Sequence, residues 1–317
     1  MSRRSFEAIN YMLRPNKNVE RKLIVSSLQH MRAVFPIPEY RYVGFGSMWF
    51  PDFVLMHKVL GISDMVTIER QTSRRKRVEF NKPFACIDVR MEEAATALGE
   101  ILDEKPSIVW LDYDGPLKNA TSGDLETAVG GMSSGSMLLV TVNGLVEQLK
   151  GHSREDGEDE LSPAEYLADI CDNPELVRQG ARLTRNDFPG LVRELLHDRI
   201  KAAVLSIKPG CEYVPIWAFR YADDAEMVTV GGMIANEADQ AKLAACGLNG
   251  IGYLQRDALF DIDLPILTEK EKRALDRLLP CATNLDHKAL DFELRPTEVE
   301  AYQRFYLEYP VFNEMAA

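Results

Sequence analysis

Short apolar runs recur along the first half of the chain, each followed by a stretch with helical spacing. The runs are 40–46 (YRYVGFG), 64–69 (DMVTIE), 84–89 (FACIDV), 107–114 (SIVWLDYD) and 135–142 (GSMLLVTV). Each is short, rich in β-branched or aromatic residues and apolar on both faces, the pattern of a strand buried on both sides. Between them, 52–60 (closed by Gly61), 72–80, 92–102 and 124–129 read as helices. Strands alternating with helices predict a parallel sheet covered on both faces.

After the fifth strand the rhythm changes. Residues 144–208 open with the acidic stretch SREDGEDE and continue as helices. Ser162-Pro163-Ala164-Glu165 has the form of a capping box with proline at the first helical position, and 188–207 is a long amphipathic helix. Two further strands, 211–221 and 225–234, are separated only by Ala222-Asp223-Asp224, so they form a hairpin and one runs antiparallel to the rest. The tail is helical and irregular, with a second capping box at Thr268–Glu271 and an aromatic end, EAYQRFYLEYPVF. The N-terminal 5–35 reads as helical with a break at Arg14-Pro15. The expected fold is α/β, a seven-stranded, mostly parallel, doubly wound sheet ending in an antiparallel hairpin. Residues 1–37 form a helical arm, 38–235 the main domain with a helical insertion at 144–208, and 236–317 a C-terminal extension.

With 317 residues, 46% of them hydrophobic and 27% charged, the chain is long enough for a large core. A net charge of −12 disfavours nucleic acid and anionic membranes as partners. No apolar run reaches the roughly 18 residues of a membrane span, and the N-terminus lacks a signal peptide's apolar stretch. The five cysteines are scattered, with no Cys-x-x-Cys, which points to a reducing, cytoplasmic setting and against a structural zinc. Two segments oppose the overall charge: 1–32 and 70–82 each carry a net +5. No Ser-His or Cys-His motif suggests a hydrolase, and His57 is a lone histidine on a helix.

Gly44-Phe45-Gly46 ends the first strand, at the carboxyl edge where open α/β sheets bind ligands. Glu69 ends the second strand and Asp112-Tyr113-Asp114-Gly115-Pro116 the fourth. Five α/β units closed by a hairpin, with a glycine turn and a strand-end acid in these places, resemble the class I, Rossmann-like methyltransferases that use S-adenosylmethionine (SAM), in an O-methyltransferase-like form. The resemblance covers roughly 38–235. It implies a cofactor turn at Gly44, Phe45, Gly46 and Ser47, although Met48-Trp49 stands where the family has a third glycine. It also implies that Glu69 holds the ribose hydroxyls, that Arg70 flanks the adenine, and that Asp88 contacts its amino group.

The same resemblance places reaction chemistry at Asp112, Tyr113 and Asp114, with Asp112 also beside the cofactor. A carboxylate there can take a proton from a hydroxyl or amine acceptor. Asp112 and Asn143 also match two positions of the magnesium site of catechol-type relatives, with Val142 in place of the third ligand, so Mg2+ stays an option. The loop differs from the one used by amino-methylating DNA enzymes. Tyr11, Arg14 and Lys17 are candidates for closing over the cofactor or gripping an anionic substrate. The function expected is methyl transfer to an oxygen or nitrogen of a small or anionic acceptor. The alternative is a non-catalytic nucleoside- or SAM-binding sensor or assembly partner, for which Tyr302, Phe305, Tyr306, Tyr309 and Phe312 would offer a surface to a second copy or a protein partner. A dehydrogenase is disfavoured by the hairpin.

Overall fold

The computed structural model describes residues 14–46, 48–151, 160–178, 183–254 and 257–310. The apolar runs become β1 (Arg41–Gly44), β2 (Asp64–Ile68), β3 (Ile87–Arg90), β4 (Ser107–Asp112) and β5 (Met137–Asn143). The hairpin is β6 (Glu212–Ala222) and β7 (Glu226–Ala235). The sheet order is β3-β2-β1-β4-β5-β7-β6-β8. The first five strands are parallel, β7 runs antiparallel between β5 and β6, and β8 (Phe260–Ile262) pairs parallel to β6 at the edge. The expected doubly wound sheet is present. The eighth strand is only three residues long, below the length at which an apolar run stands out in a sequence.

Alternation along each strand feeds two cores. Tyr42, Ile108, Trp110, Met137 and Leu139 pack on one face, and Val43, Val109, Leu111, Leu138 and Val140 on the other. The first face is covered by α1 (Pro15–Met31), α2 (Pro51–Leu60) and α3 (Arg75–Asn81), the second by α4 (Ala94–Ile101), α5 (Asn119–Gly131) and α8 (Phe188–Ile207). The insertion also carries α6 (Pro163–Ile170) and α7 (Glu175–Arg178); the tail carries α9 (Glu237–Ala245), α10 (Glu269–Asp276) and α11 (Pro296–Phe305). Both capping boxes form, at Ser162/Glu165 on α6 and Thr268/Glu271 on α10. In α2, proline sits at the first turn, Phe53, Met56 and Leu60 make the buried stripe, and Gly61 at φ 77° ends the helix.

The sequence break at Arg14-Pro15 is the start of α1. No side chain of its own caps this helix. The hairpin turn does so instead: Asp223 accepts the backbone N–H of Asn16 and of Lys17, each at 3.0 Å. Asn16 in turn donates to Ala222 O (2.8 Å) and accepts from Leu264 N (2.9 Å). The first helix is therefore pinned to the hairpin and to the segment after β8.

Tyr302 and Phe305 of the C-terminal segment are buried; Tyr302 donates to Asp276 at 2.6 Å and Phe305 stacks edge-to-face on Phe260. Tyr309 donates to Pro265 O, Tyr306 is half-buried, and Phe312 lies outside the described residues. All five cysteines are free thiols. Among the described residues, no helix is long and apolar enough to cross a membrane.

Candidate active site

Strand order reverses at β1, whose two neighbours are β2 and β4. At such a switch point the connections leave in opposite directions and open a crevice at the carboxyl edge. A cleft of about 390 Å³ lies there. Its walls come from the loop after β1, the tips of β2 and β4, the start of α2, the start of α4, α5, and one residue of α1.

Glu69, Arg70, Asp112, Tyr113, Asp114 and Phe45 all line this cleft. Glu69 is fixed by its own N–H to Arg90 O (2.9 Å), and its Oε1 accepts Gln71 N–H (3.1 Å). Arg70 is exposed, with Glu93 3.8 Å away. Phe45 packs edge-to-face on Tyr113, with centroids 5.3 Å apart. Tyr113 donates to Asp124 at 2.6 Å; burial and this bond push its phenol well above the ordinary range.

Asp112 accepts from Lys17 Nζ at 2.9 Å. Lys17 is buried, also pairs with Glu20 at 2.9 Å, and lies over the rings of Trp110 (4.8 Å) and Tyr221 (5.1 Å). Burial raises the Glu20 carboxyl, against the pull of Lys17. Lys17 therefore belongs to the support of Asp112 and does not line the cleft. Arg14 also lies off the cleft, 3.9 Å from Asp224, and Tyr11 is outside the described residues.

The glycines have a packing reason of their own. A Cβ on Gly44 would come within 2.8 Å of Tyr42 Oη, and one on Gly46 within 2.5 Å of Phe50 and 2.6 Å of Thr67. Gly46 N–H donates to Thr67 at 2.8 Å, so it faces the protein. Neither glycine lines the cleft, and Ser47 is outside the described residues. Met48, at the position of the resembled family's third glycine, is buried in the core. Gly46→Ala is expected to destabilise the protein by about 1–3 kcal/mol, because Phe50 and Thr67 are both enclosed. Thermal melts check this.

Asp88 is exposed and paired with Arg90 at 3.1 Å, away from the cleft. Its side chain leaves the sheet on the other side from its buried neighbours Ile87 and Val89. Asn143 is buried behind the β4 loop. Its N–H holds Gly115 O (2.9 Å) and its Oδ1 accepts Leu145 N–H (2.8 Å). With Asp112 bound to Lys17 and the Asn143 oxygen bound to backbone, the pair assembles no metal centre. Among the described residues, no group of three metal-ligating side chains exists.

Six charged lining residues escape a strand-end reading: Arg21, Asp52, Glu92, Glu93, Lys118 and Asp124. Arg21 is one turn after Lys17 on α1 and 3% exposed. Asp52 sits in the first turn of α2, hydrogen-bonded to Tyr42; burial raises its carboxyl, and Arg21 opposes this. Asp124 comes from α5, where burial raises it against the Tyr113 bond. Glu93 precedes α4. In the sequence, only the net +5 of residues 1–32, to which Arg21 contributes, hinted at Arg21.

A family model described as "Putative O-methyltransferase" matches residues 9–317. The chain belongs to this methyltransferase family. A search of the curated proteins found no match. Among solved structures, the methyltransferase is similar to the fibrillarin pre-rRNA processing protein of Methanococcus jannaschii at 9% identity and TM-score 0.38, over 64% of this chain and 70% of that one. It is similar to Trm1 from Pyrococcus horikoshii, in complex with SAM, at 12% identity and TM-score 0.44, over 72% and 58%. It is similar to M. jannaschii TYW2, in complex with AdoMet, at 12% and 0.36, over 66% and 75%.

The cleft's chemistry fits SAM, a sulfonium methyl donor. The methyltransferase lines its cleft with seven carboxylates (Asp52, Glu69, Glu92, Glu93, Asp112, Asp114, Asp124) and three cations (Arg21, Arg70, Lys118). An acid-rich, partly enclosed cleft favours a cationic guest such as a sulfonium.

Proposed function

We propose that the protein transfers a methyl group from SAM to an oxygen or nitrogen of a small acceptor, with Asp112 and Asp114 at the reacting end. The observation that supports this best is the placement of two strand tips across one cleft, Glu69 on β2 and Asp112-Tyr113-Asp114 on β4. SAM, when bound, supplies an electrophilic methyl on sulfur. Glu69 would accept both ribose hydroxyls, and Phe45 and Tyr113 would form an apolar wall. Asp112, with one oxygen held by Lys17, aligns the acceptor and takes its O–H or N–H proton. The acidic lining favours a neutral or cationic acceptor over an anionic one.

The first test is thermal unfolding with S-adenosylhomocysteine (SAH). At about 100 times its dissociation constant, the ligand should add about 2.7 kcal/mol of stability. For a chain of this size that is a rise of roughly 5–10 °C. Glu69→Ala should weaken SAH by roughly 10- to 100-fold, the loss of hydrogen bonds to a charged group. Wild-type protein that shows no shift with SAM or SAH while remaining folded would refute the reading. Acceptors are then sought by methyl release from labelled SAM against panels of small amines and phenols.

A further inference from the structure

Arg21 is the one α1 residue that reaches the cleft. It is 3% exposed, and its Nε has no hydrogen-bond partner among the described residues. A buried guanidinium normally has its donors satisfied, and an orphan is expensive unless something completes it. Asp52, Tyr42 and Tyr221 all feel its charge, and Asp112 acts on the same three groups. A cation and two carboxylates thus line the same cleft, with a guanidinium donor unused. That is the complement of a molecule carrying an anion and a cation on adjacent atoms.

We propose that Arg21, with Asp52, is the receptor for the α-amino-acid head of the methyl donor. Arg21 takes the carboxylate, for which the planar guanidinium is well shaped. Asp52 takes the ammonium, while Asp112, held by Lys17, stays with the acceptor. This assignment rests on the SAM reading of the cleft. The donor carries a methionyl head into it at every turnover, whereas nothing requires the acceptor to carry one. Lys17, though one turn earlier on α1, does not play this part, since it is already bound to Glu20 and Asp112.

The experiment compares SAH with 5′-methylthioadenosine, which shares the nucleoside and sulfur but has no amino-acid head. Dissociation constants are measured by calorimetry for wild type, Arg21→Lys and Arg21→Met. The expected result is a 10- to 100-fold loss for SAH in Arg21→Met, with methylthioadenosine unchanged within about twofold. Arg21→Lys should fall between, because one ammonium replaces a fork of donors. Retained methylthioadenosine binding shows that each variant is folded around its nucleoside half. Equal losses for both ligands, or no loss for SAH, would overturn the assignment while leaving the SAM reading intact. Wild type that binds neither ligand would remove the SAM reading and this assignment together.

Discussion

Lys17→Met is expected to destabilise the protein by about 3–5 kcal/mol, the usual cost of removing one partner from a buried ionic group. For a chain of this size the melting point should fall by roughly 6–15 °C. The ammonium sits between Asp112 and Glu20, both at 2.9 Å, beneath the faces of Trp110 and Tyr221. Methionine fills a similar volume but leaves Glu20 as a carboxyl in an apolar setting. The pH dependence separates this from a packing defect. Burial already holds the Glu20 carboxyl above its ordinary range, and Lys17 is the strongest group pulling it down. Without Lys17 its folded-state pKa rises further above the unfolded one, so the variant gains stability, relative to wild type, as acid protonates Glu20. The stability gap between the two should therefore be smaller at pH 5 than at pH 8, read from denaturant melts at both. A gap independent of pH would mean that the loss is steric. Adding Glu20→Gln to Lys17→Met should recover much of the stability at pH 8, because both buried charges are then gone.

Asp112→Asn is expected to act on rate instead. The amide keeps the shape and can still meet Lys17 through its oxygen, while Lys17 retains Glu20. What is lost is a carboxylate able to take the acceptor's proton, a role worth roughly 10²–10⁴-fold. Once an acceptor is identified, kcat should fall by that much, with SAH affinity changed only a few-fold and the melting point little altered. Asp114→Asn, on the same loop, is the control for general electrostatics. If Asp112→Asn leaves kcat within a few-fold of wild type, Asp112 is not the proton acceptor.

Much of the fold was legible because a buried parallel strand writes itself as an uninterrupted apolar run, and five such runs with helices between them allow few topologies. The hairpin was legible because only three residues separate two long strands. Strand β8 was not, since three residues carry no period, and pairing with β6 alone defines it. In the cleft, residues at strand tips could be placed because the strand ends could. Glu69, Asp112 and Asp114 all reach it for that reason. Arg21 and Asp124 could not be placed that way. They sit inside helices α1 and α5, and only the packing of those helices against the sheet brings them to the cleft. The glycine turn shows the reverse case. Its position was legible, yet at Gly44 and Gly46 the close neighbours are Tyr42, Phe50 and Thr67, side chains the sequence could not bring together.

The clasp between Asp223 and the start of α1 joins residues 207 apart in the chain. A ribosome therefore releases Lys17 and Arg21 long before the turn that holds their helix in place exists. Until β6 and β7 emerge, the helix start lacks its cap, and Lys17 has Asp112 and Glu20 within reach but no closed wall around them. Completion of the cleft is thereby tied to the arrival of the chain's last third. A product truncated before the hairpin would carry the strand tips Glu69 and Asp112 but not the clasp that seats α1 beside them.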